Sequence, residues 1–339
     1  MTSSDQLSDD RPAVCRPDAL SPEALADARR AQPRRGLLGL AFVLPVAALL
    51  AAGAGGPVRT LEVLGPPVTF ALPIVAMIAF WWEDWPGSLL RGGWPGLSDT
   101  ALVAAGGAAL TLLGRAVTGT ASVPLAAGIF TLMLQVTLVG EGWPLRGRGV
   151  RWPGVAAMAA CWVAGWALYR GLVGTGLVPG EDYGAWFPVL GAWQMLWYVA
   201  LRGWPFARIR RRAVRLATAH AAVVACAWVG YFALPREWAA PVAGAVIASV
   251  LVVAMLFEAW PGIRLTPVPG RGTVLLLVAG LTAALVWLVP LVARGAGVPD
   301  RLVAAWTTHT TLNALSLAVI LHVAVWRRWP VSAPVTSVP

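Results

Sequence analysis

The sequence predicts an all-α integral membrane protein of about ten transmembrane helices, built from five repeated helical hairpins with both ends in the cytoplasm. Three observations predict it. Hydrophobic residues fill 58% of the 339 positions and charged residues only 12%, where a soluble domain averages about 25% charged. Ten apolar segments follow one another, each near the length needed to cross a bilayer core. A Trp-Pro pair recurs five times at nearly even spacing.

Residues 1–36 are polar and read as a mostly disordered cytoplasmic tail. They lack the basic start and immediate apolar core of a secretory signal. The spans then run over about 37–55, 64–82, 99–114, 122–140, 154–174, 185–201, 216–234, 239–257, 273–293 and 302–326, the third being the weakest. They pair into hairpins of about 37–98, 99–152, 153–215, 216–272 and 273–330, followed by a short tail at 331–339. All 26 basic residues are Arg. With the N-terminal tail inside, 20 of them fall on the cytoplasmic side and six outside, a strong positive-inside bias. Localisation in the plasma membrane follows as an expectation. The net charge of +10 is spent on this topology; basic clusters between apolar spans do not point to nucleic acid. The expected partners are the lipid bilayer and a small-molecule solute.

The repeated pairs are Trp85-Pro86, Trp143-Pro144, Trp204-Pro205, Trp260-Pro261 and Trp329-Pro330, separated by 58, 61, 56 and 69 residues. Each follows an even-numbered span. Trp anchors a helix end in the headgroup layer and Pro stops the helix there. Even spans are expected to begin with an outer Pro: Pro67, Pro124, Pro188 and Pro241. The tenth lacks one. A charged residue stands two positions before each repeated Trp: Glu83, Glu141, Arg202, Glu258 and Arg327. As punctuation the motif explains itself. A functional reading is a cytoplasmic charged rim, with Glu83, Glu141 or Glu258 paired to Arg202 or Arg327.

The 16 Asp and Glu residues all lie in the tail, in loops or at span ends. Intramembrane carboxylates mark proton relays and ion pathways, so their absence argues against a carboxylate-coupled pump. The polar exception is the tenth span. At 100° per residue His309, Asn313 and Ser316 share one face, with Thr310 nearby, and such a face should turn inward. It reads either as a ligand path or as hydrogen-bonded packing. The sixth span carries Trp186, Trp193, Trp197 and Trp204 on one face, with Gln194 and Tyr198 beside them; it reads as a core ridge or as the wall of a cavity. Gln135 is polar and deep in the fourth span. His220 and His322 would sit at similar shallow depth and could ligate one haem if spans seven and ten were neighbours. Cys15, Cys161 and Cys226 show no metal or disulfide spacing. No cofactor is indicated. No phosphate-binding loop, zinc motif or hydrolase triad is present. The leading functional expectation is a transporter or permease for a small solute. The rivals are a membrane enzyme or haem protein using the His residues, and an accessory subunit with no site of its own.

Overall fold

A computed structural model describes residues 26–27, 30–82, 85–90, 94–119 and 123–331. Most of the expected N-terminal tail, Cys15, Glu83 and the tail beyond 331 lie outside these residues. The described chain is helical, with no strand. Among the described residues ten main helices occur: α1 Arg34–Ala52, α2 Gly65–Trp82, α3 Trp94–Thr118, α4 Val123–Val139, α5 Arg151–Leu172, α6 at 180–200, α7 Arg212–Ala233, α8 Arg236–Leu256, α9 Pro267–Gly295 and α10 Asp300–Val325. Eight of them are long and apolar enough to cross a membrane; α4 is apolar but shorter.

The helices sort into an inner and an outer set. Of an 18-residue stretch, 89% is buried in α2 but 17% in α5. The inner helices are the even ones. Each packs on the next (α2 on α4, α4 on α6, α6 on α8, α8 on α10), and α10 packs back on α2. Five helices therefore close a ring. Apart from the polar face of α10 and a few buried polar residues such as Gln194, they are apolar on every side, as such a position requires. The odd helices lie outside, each behind the groove between two inner ones. Helix α3 packs on α2 and the end of α10, α5 on α4 and α2, and α7 on α6 and α4. Helix α1 closes the circle: it packs on α10, while Gly36 and Gly39 lie against Phe257 and Leu256 at the end of α8.

Outer helices bury one narrow stripe of small residues at three- and four-residue spacing. In α1 it is Gly36, Gly39, Val43, Ala47 and Ala51; in α5 it is Gly154, Ala157, Cys161 and Gly165. Small residues let backbones approach where lipid offers no hydrophobic driving force. The other sides expose Leu44, Leu49, Val163, Phe232, Leu276 and Trp287, which suits contact with lipid chains.

Each inner helix changes to π-helical geometry before its end: Ile78–Trp82, Gln135–Val139, Leu196–Ala200, Leu251–Leu256 and Leu321–Val325. All five repeated Trp-Pro bonds are cis. The charged residue two positions before Trp has positive φ at Glu141, Arg202, Glu258 and Arg327. The next N–H then reaches back six residues to a carbonyl: Gly142 to Val136, Gly203 to Trp197, Ala259 to Val253 and Arg328 to His322, at 2.7–2.8 Å. This is the left-handed helix stop that satisfies terminal carbonyls.

Several boundaries differ from expectation. Helices α6 and α8 start earlier, at Gly180 and Arg236, so Pro188 and Pro241 are interior and buried instead of initial. The residues before these helices are Pro179 and Pro235, and Pro299 precedes α10 in the same way. The tenth span therefore does have its starting proline. Helix α3 begins at Trp94, which puts Asp99 inside it, 1% exposed, accepting from the Gly87 N–H at 2.8 Å.

Candidate functional site

Two polar clusters lie within the ring. The first joins α10, α2 and α1. Asn313 Nδ2 donates to Thr69 Oγ1 at 2.8 Å and lies 3.3 Å from His309 Nδ1. His309 Nε2 is 3.0 Å from the Leu50 carbonyl, and Trp306 Nε1 donates to the Ala51 carbonyl at 3.0 Å. His309, Asn313 and Ser316 are all buried, as expected of an inward face. Ser316 behaves differently from a straight helical reading. Residues His309–Leu315 are π-helical, and the Ser316 hydroxyl donates five residues back to the Thr311 carbonyl at 3.0 Å. Thr310 Oγ1 and Asn313 Oδ1 are buried without a hydrogen-bond partner.

The second cluster joins α4, α6 and α7. Gln194 Nε2 donates to the Thr131 carbonyl at 3.2 Å and to Gln135 Oε1; Gln135 Nε2 in turn meets His220 Nδ1. Gln194 is fully buried, and its Oε1 has no partner. The sequence singled out Gln194, but nothing in it showed that Gln135 and His220 complete the chain.

The clusters meet the ring axis through two threonines. Thr69 and Thr131 both line a small axial cavity, with Leu72, Phe130, Pro188, Ile247 and Leu312. Every inner helix contributes to it. Its volume is about 10 Å³, at the lower limit for a single water. The axis is closed.

The aromatic face of α6 turns away from this axis. Trp186 packs on Trp228 at 5.5 Å, and Trp193 lies beside Gly230, so the wall is a contact with outer helix α7. Trp204 lies past the helix end and is not part of that face. Tyr198 stacks on Phe206 at 6.3 Å.

At the Trp-Pro end, two of the charged positions, Glu141 and Glu258, form ion pairs with arginines other than Arg202, while Glu83 lies outside the described residues. Glu141, 3% exposed, takes Arg215 in a two-pronged contact at 2.7 and 2.8 Å, with Arg212 at 3.8 Å. Glu258 binds Arg328 at 2.9 Å and Arg35 at 3.5 Å, and accepts from Gln32 at 3.1 Å. Burial lowers the Arg328 guanidinium from its ordinary value, Glu258 raises it again and Arg35 lowers it. Arg202 is not within pairing distance of either carboxylate among the described residues. The reason is the ring: Glu141 meets the start of α7, just past the Trp204-Pro205 turn, and Glu258 meets α1 and the segment past α10, neighbours that sequence spacing does not reveal.

His220 and His322 are held apart. His220 is bonded to Gln135, while His322 stacks on Phe42 of α1 at 5.0 Å. The adjacency that would let both bind one haem is not formed. Among the described residues, no group of three His, Cys, Asp or Glu could hold a metal ion. Comparison with protein-family models, curated proteins and solved structures finds no match, so what the chain itself establishes is an all-helical protein whose apolar helices suit a membrane.

Proposed function

We propose that the protein is a ten-span transporter or permease of the cell membrane for a small polar solute, with five hairpin units around a central path and both termini cytoplasmic. One observation carries this reading. Two buried, unpartnered carbonyl oxygens, Asn313 Oδ1 and Gln194 Oε1, belong to clusters that reach the same axial cavity through Thr69 and Thr131. An unsatisfied buried acceptor in a membrane costs several kcal/mol, and a solute that donates hydrogen bonds would offset that cost. The closed axis then corresponds to an occluded state. The π-helical segments of all five inner helices supply places where they could rearrange. With no carboxylate in the two clusters, a neutral solute or passive movement fits better than acid-coupled pumping.

Cysteine accessibility tests the path. In a variant with Cys15, Cys161 and Cys226 replaced by Ser, Thr131→Cys should react with a water-soluble thiol reagent in intact membranes. Asn313→Leu should slow that reaction. A Thr131→Cys thiol that stays unmodified in the folded protein, but reacts after unfolding, would remove the path. The tight axis would then favour an accessory subunit, with the polar clusters serving as interhelical hydrogen bonds of about 0.6 kcal/mol each.

A further inference from the structure

A cavity lies at the Trp-Pro end, away from the axis. It measures about 450 Å³ and sits between the turn after α6, the turn after α8 and the first turns of α9. Three arginines line it, Arg202, Arg208 and Arg271, and no Asp or Glu does. Arg271 lies over the Trp204 ring at 5.2 Å. None of the three arginines forms an ion pair among the described residues.

The neighbouring turns show what is missing. Two positions before Trp143 and before Trp260 stands a carboxylate, and arginines from adjoining segments neutralise it: Arg215 and Arg212 on Glu141, Arg328 and Arg35 on Glu258. Two positions before Trp204 the chain places Arg202, and the helix beyond the next turn again brings an arginine, Arg271. A cation stands where the internal anion would be. Burial lowers the Arg202 guanidinium from its ordinary value, and Glu258 draws it back. That carboxylate is already shared between Arg328 and Arg35. Arginine does not lose its proton in proteins, so the cavity keeps its positive charge.

We propose that this cavity binds a phosphate-bearing anion, its oxygens held by Arg202, Arg208 and Arg271 in place of the missing carboxylate. Guanidinium groups match phosphate oxygens two at a time. Basic pockets between membrane helices suit anionic headgroups. A phospholipid headgroup and a free phosphate share this chemistry. The inference needs neither a solute path nor an assigned sidedness, so it stands or falls apart from the transporter reading.

The test uses the full chain in nanodiscs of phosphatidylcholine mixed with phosphatidylglycerol, with retained lipids counted by native mass spectrometry. The wild type should retain phosphatidylglycerol in preference to phosphatidylcholine. Arg202→Gln/Arg271→Gln should cut that preference by about thirtyfold, the two charges each contributing about 1 kcal/mol near the surface. Arg148→Gln, at another turn, should leave it unchanged. If the double variant does not fold, Arg208→Gln supplies the same reading from the exposed side of the cavity. If the lipids are retained equally, but millimolar inorganic phosphate raises the melting temperature of the wild type and not of the arginine variants, the same site takes a free anion. Equal retention with no response to phosphate, or a double variant that behaves as wild type, overturns the proposal.

Discussion

Glu141→Ala is expected to destabilise the protein by about 3–5 kcal/mol, because it strands a buried cation. The Glu141 side chain is 4% exposed and that of Arg215 14%. Their two hydrogen bonds therefore form where water replaces them poorly. Arg215→Ala should cost somewhat less, since Glu141 keeps the longer contact to Arg212 at 3.8 Å. Glu141→Leu/Arg215→Leu should recover most of the loss, because the cost of a broken buried pair lies mainly in the unpaired partner. Thermal unfolding in one detergent compares all four proteins. Additive losses in the double variant would mean that the pair itself, and not the stranded charge, sets the effect. The pair also ties α7 to the end of α4, so weakening should appear first as faster proteolysis of the turn at 209–211.

Gly107→Leu should be a strongly destabilising substitution of an outer-helix glycine. A Cβ at Gly107 would stand 2.5 Å from the Pro67 carbonyl oxygen and 3.0 Å from Ala71 Cβ. The first contact is backbone and cannot swing aside, so α3 must move off α2. Overpacking costs about 1–3 kcal/mol and sometimes more, and the upper end is expected here. Gly280→Leu is the matched control. It lies in α9 with nothing within 4 Å of its Cβ position, and it should change the melting temperature little. If the two variants melted together, the division into inner and outer helices would be wrong.

That division marks the limit of what the sequence makes legible. The segments themselves are plain, because long apolar runs with charges only between them have one physical solution in a bilayer. The helical starts are less plain. Glu181, Asp182 and Glu237 read as loop residues, yet they lie in the first turns of α6 and α8, where the helix dipole favours negative charge. The inner and outer sets leave a signal in the small-residue stripes of the odd helices, such as Gly36, Gly39 and Ala47. The even helices, the polar face of α10 apart, are largely apolar and carry no such stripe. The site is only half legible. His309, Asn313 and Gln194 stand out as polar residues in apolar spans. Their partners Thr69, Leu50, Thr131 and Gln135 come from other helices, and only the ring brings them near. Glu141 was legible as a charged position, and Arg215 as its partner was not.

The first and last helices converge on one carboxylate. Arg35 at the start of α1 and Arg328 just past α10 both bind Glu258, and α1 fills the place a helix following α10 would take. Such a circle has no privileged starting point. A circular permutant that joins residue 331 to residue 30 through a short flexible linker, and begins anew between Arg208 and Arg212, should insert and assemble as the parent chain does. The order in which the helices leave the ribosome would change, while the neighbours each one finds would not.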